Sequence, residues 1–252
     1  LGLTWSILYV PFGGGTTLLL DQVQSTILTS LFTVALINAL NFVDGLDGLS
    51  AGVGMIAGAA ILLFSLTILF DQNGAVSAYP PAIIAAARVG ICAGVLPHNF
   101  EPSRIFMGDS GSMLIGLLLA AASTSASGKI NMSLYGAADF IALISPIIVV
   151  LAAVAIPLLD LVMAVVRRVG RGASPFSPDK MHLHHRLLSI GHTHRRVVLV
   201  LYTWASAVAF GAVSFSVVPP LFATGSSICG ILIAVAVTAV PVMKSRRAAK
   251  LD

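Results

Sequence analysis

The stretch NALNFVDGLDGL, residues 38–49, lies between two long apolar runs, and in it Asn38, Asn41, Asp44 and Asp47 recur at steps of three. A helical residue turns by about 100°, so a step of three drifts by about 60° and Asn38 and Asn41 can share one side of a helix end. Gly45 and Gly48 then let the chain leave the helix and let a ligand approach the backbone. The runs on either side decide the fold class. Of 252 residues, 57% are hydrophobic and only 10% are charged, with a mean hydropathy of +0.98. A soluble globular domain carries roughly 25% charged residues, so this chain cannot cover a water-facing surface. Its apolar runs lack the one-sided stripe of a soluble helix and read as bilayer spans. The fold expected is all-α: a polytopic transmembrane helical bundle with catalytic cytoplasmic loops.

Working outward, apolar segments fall at 1–12, 24–40, 49–70, 80–97, 111–127, 138–166, 197–218 and 222–243. A span needs about 20 residues, so 24–40 and 111–127 are slightly short and 138–166 is long; tilt absorbs part of the difference. Residues 1–252 are expected to form a single integral-membrane domain, with about seven full spans after a shortened first one. The opening LGLTWSILYVPF has no basic region ahead of it and does not read as a signal peptide. It reads as the remainder of a span, and the chain as the C-terminal portion of a longer one. Cys92 and Cys229 both lie in apolar runs and are expected to be buried small hydrophobes; nothing supports a disulfide framework or a cysteine-based metal site. No repeat period or inverted pair of broken spans is evident.

Topology follows from Lys and Arg. With residues 41–48 on the cytoplasmic side, the loops 41–48, 98–110 and 167–196 and the tail from 244 share that side. All 14 Lys and Arg except Arg88 and Lys129 then fall there, as the positive-inside rule requires. Arg88 falls inside a span, where it costs about 2.5–3.5 kcal/mol on insertion scales, so it must face the bundle interior unless the span boundary differs.

Three polar clusters share that face. The first is the opening stretch, whose oxygen ligands suit Mg²⁺, which takes few protein carboxylates plus substrate phosphates. Asp47 taken alone has an equal reading as the N-cap of the helix beginning near Leu49. The second is HNFEPSRIFMGDSGSMLIG, residues 98–116, where Asp109 precedes an apolar helix whose free N–H groups favour phosphate. Two acids near one surface beside such a helix start make a metal–diphosphate site plausible. Phe106 offers a ring face and Asn99 an amide for a base, against ordinary loop packing. The third is SPDKMHLHHRLLSIGHTHRR, residues 177–196, with five of the six histidines: His182, His184, His185, His192 and His194. Zinc sites usually want Cys/His pairs at recognisable spacing, and no Cys is present here. Histidines beside arginines suit a diphosphate through charge-assisted bonds; the alternative is a basic loop on anionic lipid. Asp139 and Asp160 fall roughly 30 Å apart on one long segment, with Asp160 near the cytoplasmic face, where it is expected to pair with Arg167 or Arg168.

Taken together, NALNFVDGLDGLSAG, NFEPSRIFMGDSGSMLIG and SPDKMHLHHRL resemble, in order and spacing, the polyprenyl-phosphate N-acetylhexosamine-1-phosphate transferases. The HLHHRL loop resembles their WecA/TagO-like group, the polyprenyl-phosphate N-acetylglucosamine-1-phosphate transferases. The resemblance implies attack of a polyprenyl phosphate (undecaprenyl or decaprenyl) on the phosphorus next to the sugar of UDP-N-acetylglucosamine, releasing UMP in the first membrane step of cell-envelope glycan synthesis. It implies Mg²⁺, with Mn²⁺ as a substitute, on Asn41 and Asp109. Asp44, Asp109 and His182 would be catalytic. Asp47, Asn99 and Phe106 would contact uridine, His184, His185 and Arg186 the phosphates, and Asn38 would also bind the substrate. The implied location is the bacterial plasma membrane with the site on the cytoplasmic face. Implied partners are UDP-N-acetylglucosamine, polyprenyl phosphate, the lipid bilayer and, as an option, a second copy of the chain, with no nucleic acid. The family also carries an adjacent Asp-Asp pair in an earlier loop, and no such pair occurs in these 252 residues; it is expected upstream. Alternatives are a phospho-N-acetylmuramoyl-pentapeptide transferase of the same superfamily, or an ion-coupled transporter, which would place its ionisable residues near mid-bilayer. A CDP-alcohol phosphotransferase would need an aspartate-rich signature that the sequence lacks.

Overall fold

Two short strands and seven helices make up the described part of the chain. The structure, a computed structural model, describes residues 4, 7–10, 16–74, 76, 79–127, 151–152, 155–172, 174, 188 and 192–248. The helices are α1 (Gln22–Val43), α2 (Leu49–Asp71), α3 (Tyr79–Asn99), α4 (Gly108–Ser127), α5 (Ala155–Gly170), α6 (His194–Val217) and α7 (Pro220–Ala248). Among the described residues, five helices are long and apolar enough to cross a membrane: α1, α2, α3, α6 and Pro220–Ala239 of α7. The chain is an all-α polytopic membrane protein.

Sequence and structure part company at the start of the chain. Ile7–Val10 (β1) pairs antiparallel with Thr16–Leu19 (β2), Ile7 opposite Leu19 and Val10 opposite Thr16. The expected span over 1–12 is therefore not helical at 7–10. β-Branched and aromatic residues there, followed by Gly13, Gly14 and Gly15, favour a paired strand over a helix. Asp21 then starts α1 with a capping box, accepting from the Gln24 N–H at 2.7 Å while its own N–H reaches the Gln24 side chain. Of the long segment 138–166, residues 138–150 and 153–154 lie outside the described residues, Asp139 among them, and the described remainder is helical.

Small residues bring the helices close. A Cβ at Gly116 of α4 would sit 2.7 Å from the Ile37 Cα of α1, and one at Gly54 of α2 would meet Ile115 of α4 at 2.7 Å. Such contacts replace the hydrophobic effect as the packing force within a bilayer. A first core joins Leu36 and Leu40 of α1, Ile61 and Phe64 of α2, Cys92 of α3 and Leu119 of α4. A second lies under the α1–α2 turn, where Val43, Leu46, Leu49 and Val53 meet Val197, Val198 and Leu201 of α6. Outward faces are apolar: Val23, Ile27, Leu31 and Val34 of α1 are all exposed, the pattern of a surface solvated by lipid.

Arg88 faces the bundle interior. It is fully buried, donates from Nη2 to the Gly54 carbonyl, and lies against Gly58. Cys92 is buried as expected, but Cys229 is exposed. The correction has a simple cause: among the described residues α7 packs chiefly on α6 and little of it is buried, so an apolar residue away from α6 faces outward.

Candidate active site

The α1–α2 turn, the α3–α4 loop and the start of α6 meet at one end of the bundle. Asn41 lies in the last turn of α1, and Asp109 in the first turn of α4. Close packing of Ile37, one turn deeper on α1, against Gly116, about two turns deeper on α4, brings them together. Asn41 Nδ2 donates to Asp109 Oδ1 at 3.0 Å and to Ser112 Oγ at 3.1 Å. Ser112 was not singled out in the sequence, where it reads as one small residue among several; it is fully buried.

Asp44 is the C-cap residue of α1, its N–H held by the Asn41 carbonyl. Asp44, Gly45, Leu46, Asp47, Asn99, Phe106, Met107, Gly108 and Asp109 line one cleft of about 300 Å³. Burial, then the like charges of Asp109 and Asp47, push the Asp44 carboxyl up to about 6. Such a cluster of acids, with no Lys or Arg among the lining residues, is a place where a cation is favoured. Among the described residues, no three His, Cys, Asp or Glu side chains form a metal cage. The cleft offers the carboxylates of Asp44, Asp47 and Asp109, with the Asn41 amide bonded to the last of them, an oxygen-rich set of the kind that leaves positions of a Mg²⁺ ion to water and phosphate.

Asp47 does not cap α2. The N-cap is Gly48 at φ 79°, in the left-handed region, and no side chain caps the helix. Asp47 Oδ2 instead accepts from the Ser103 N–H at 3.2 Å, tying the turn to the α3–α4 loop. Asn99 makes a second tie: its Oδ1 accepts from the Gly48 N–H at 3.1 Å and its Nδ2 donates to the Ile105 carbonyl at 2.9 Å. Its amide is thus engaged in holding the wall that it lines. Phe106 is 79% exposed at the cleft, a free ring face beside the acids. Asn38 is exposed one turn earlier on α1, its amide donating back to the Val34 carbonyl at 2.7 Å, and it is not among the cleft-lining residues.

Basic residues arrive at the same end. The Arg168 guanidinium stacks 5.7 Å over the Phe42 ring, and Arg195 Nε donates to the Glu101 carbonyl at 3.1 Å. His194 lines a second cleft of about 290 Å³ with Gly45, Leu46, Asp47, Glu101 and Val198. His192 is buried, and neither ring nitrogen has a hydrogen-bond partner among the described residues. Burial, then the Arg196 charge, lowers its pKa. His182, His184, His185 and Arg186 lie outside the described residues. The Asp160 side chain is likewise outside them, although its backbone is helical.

Residues 1–127 match the model of glycosyl transferase family 4. The chain is 53% identical over 244 residues to a decaprenyl-phosphate N-acetylglucosaminephosphotransferase of Mycobacterium tuberculosis, covering 97% of this chain and 60% of that protein. It is 52% identical to the Mycobacterium leprae protein of the same name, covering 98% of this chain and 62% of that protein. To an undecaprenyl-phosphate alpha-N-acetylglucosaminyl 1-phosphate transferase of Escherichia coli it is 35% identical over 208 residues, 81% of this chain and 48% of that protein. The chain thus spans about 60% of the length of the mycobacterial relatives.

Proposed function

The chain belongs to glycosyl transferase family 4, and from that premise we propose that it is the transferase part of an enzyme that moves N-acetylglucosamine-1-phosphate from UDP-N-acetylglucosamine to a polyprenyl phosphate, releasing UMP. The names of the mycobacterial relatives favour decaprenyl phosphate as the acceptor. Residues 1–252 are read as one integral-membrane domain whose site opens to the cytoplasm.

One observation carries the reading: Asn41 of α1 bonds Asp109 of α4, and Asp109 lines a cleft together with Asp44 and the exposed Phe106. Asp109, Asn41 and Asp44 are proposed to hold Mg²⁺ against the donor diphosphate. When bound, that cation neutralises charge on the transferring phosphoryl group. The residues themselves do positional work. Asn41 orients the Asp109 carboxylate, Ser112 fixes the Asn41 amide, and Phe106 presents a ring for the uracil. Asp47 and Asn99 hold the wall on which the nucleotide rests. His182, His184, His185 and Arg186 are assigned to the phosphates by their match to the family motif. No residue of this chain is assigned to aligning the acceptor phosphate.

The test is radiolabel transfer by the full-length protein, offered UDP-N-acetylglucosamine, UDP-N-acetylgalactosamine and UDP-N-acetylmuramoyl-pentapeptide in turn, with polyprenyl phosphate. Transfer from the first, dependent on Mg²⁺ or Mn²⁺, is expected. Transfer from the pentapeptide donor alone would instead favour the muramoyl-pentapeptide branch.

A further inference from the structure

The cleft wall is held from behind by a side chain to which the transfer reading gives no role. Tyr202 lies on α6, and its hydroxyl donates to the Gly48 carbonyl. Its ring fills the notch left by Gly52 of α2, where a Cβ would run into it. Gly48 is thus held at both of its backbone polar groups: its carbonyl also accepts from the Gly52 N–H at 2.9 Å, and its N–H donates to Asn99 Oδ1 at 3.1 Å. Asn99 Nδ2 in turn donates at 2.9 Å to the carbonyl of Ile105, the residue before Phe106. One line of hydrogen bonds therefore runs from α6 through the turn to the loop that carries the exposed ring. The line passes through the Gly48 Cα, so its two ends are coupled by position: a shift of the Gly48 backbone moves both of its hydrogen bonds. The Asn41–Asp109–Ser112 group is built differently. It rests on the contact of α1 with α4 and does not pass through Gly48.

We propose that Tyr202 is a positioning residue that acts through the Gly48 peptide and Asn99 to set the nucleotide-binding wall, Asp47 and Phe106, while leaving the Asn41–Asp109 pair untouched. The inference rests on the proposed function for the nature of the ligand. Its consequence is a split: losing the hydroxyl weakens nucleotide binding and spares the metal and the chemical step. Tyr202→Phe keeps the ring in the Gly52 notch and removes one of the two donors to the Gly48 carbonyl, leaving the Gly52 N–H alone to hold it.

The experiment uses the full-length protein in detergent, with UMP binding measured by calorimetry and transfer kinetics measured beside it. Tyr202→Phe is expected to weaken UMP binding and raise KM for UDP-N-acetylglucosamine by about 5- to 20-fold, the range of one lost buried hydrogen bond. Its kcat and half-saturating Mg²⁺ concentration stay within about twofold of wild type. Gly52→Ala, which displaces the ring, is expected to give the same signature. Unchanged UMP binding, a fall in kcat at constant KM, an equal shift in Mg²⁺ response, or loss of folded protein in Tyr202→Phe would each overturn the inference. Wild-type protein that fails to bind UMP would overturn the function reading and this inference with it, whereas wild-type binding that persists in Tyr202→Phe overturns the inference alone.

Discussion

Asp44 is the residue whose charge state the site controls most visibly. Its carboxyl, pushed up to about 6 by burial and by Asp109 and Asp47, keeps a proton that an ordinary aspartate would release near 3.8. In metal-free protein the folded state holds that proton between those two values. Stability therefore falls as pH rises through that window and is level above it. A bound cation favours the ionised form, so the sign reverses for Mg²⁺ affinity. Calorimetry is expected to show affinity rising about tenfold per pH unit below 6 and flattening above it, with one proton released per cation at the low end. In Asp109→Asn the neighbouring charge is gone, and the Asp44 midpoint moves below 6. Phe106 makes a simpler case. An aromatic ring 79% exposed in a polar loop contributes little to folding. Phe106→Ala is expected to leave the unfolding temperature unchanged and to weaken UMP binding by about 5- to 100-fold, the usual worth of one base stacked on an aromatic ring.

At the scale of the elements, the α1–α4 contact decides the site. A Cβ at Gly116 meets the α1 backbone, which cannot rotate away as a side chain can. Gly116→Val should spread the two helices, break the Asn41–Asp109 bond and cut transfer at least tenfold while membrane insertion persists; full activity in that variant would show that the contact is not limiting. Arg88 tests packing alone. Its guanidinium is fully buried, and Nε and Nη1 have no hydrogen-bond partner among the described residues. Arg88→Met is accordingly expected to match or exceed wild-type thermal stability in detergent, and a large drop would reveal an ion partner in the folded protein. The span over 24–40 could be read from hydropathy, because a long run of apolar residues has one meaning in lipid; the segment 111–127 is helical as expected, but α4 is not among the helices apolar enough to cross a membrane. The role of Asp47 was not legible, since an acid just before a helix looks like a cap, and Gly48 took that position with a left-handed backbone. The strand at Ile7–Val10 was missed because a short apolar run carries no period that separates strand from helix. Tyr202 gave no signal at all: its partner is a backbone carbonyl 154 positions away.

Across the whole molecule, residues 41–47, 99–109 and 194–195 meet at one end, as the charge asymmetry of the sequence implied. Motifs carry that information well because they put rare polar residues beside apolar runs. What they cannot carry is which helices touch, for lipid-facing and helix-facing leucines look alike. The proposed orientation rests on the same charges. Ser103→Cys, in a background with Cys229→Ala, is expected to react with an impermeant maleimide only after right-side-out vesicles are opened; labelling of sealed vesicles would place the loop outside. The central claim, that α1 and α4 supply one unit around a cation and a diphosphate, is tested most directly by a double-mutant cycle on transfer rate in the full-length protein. Asn41→Ala and Asp109→Asn are each expected to cost about 10²–10³-fold, the size of losing one preorganised charge contact, and the double variant about as much as the worse single one. Losses that multiply would mean that the two residues act independently, and wild-type rates in Asp109→Asn would remove the cation site altogether.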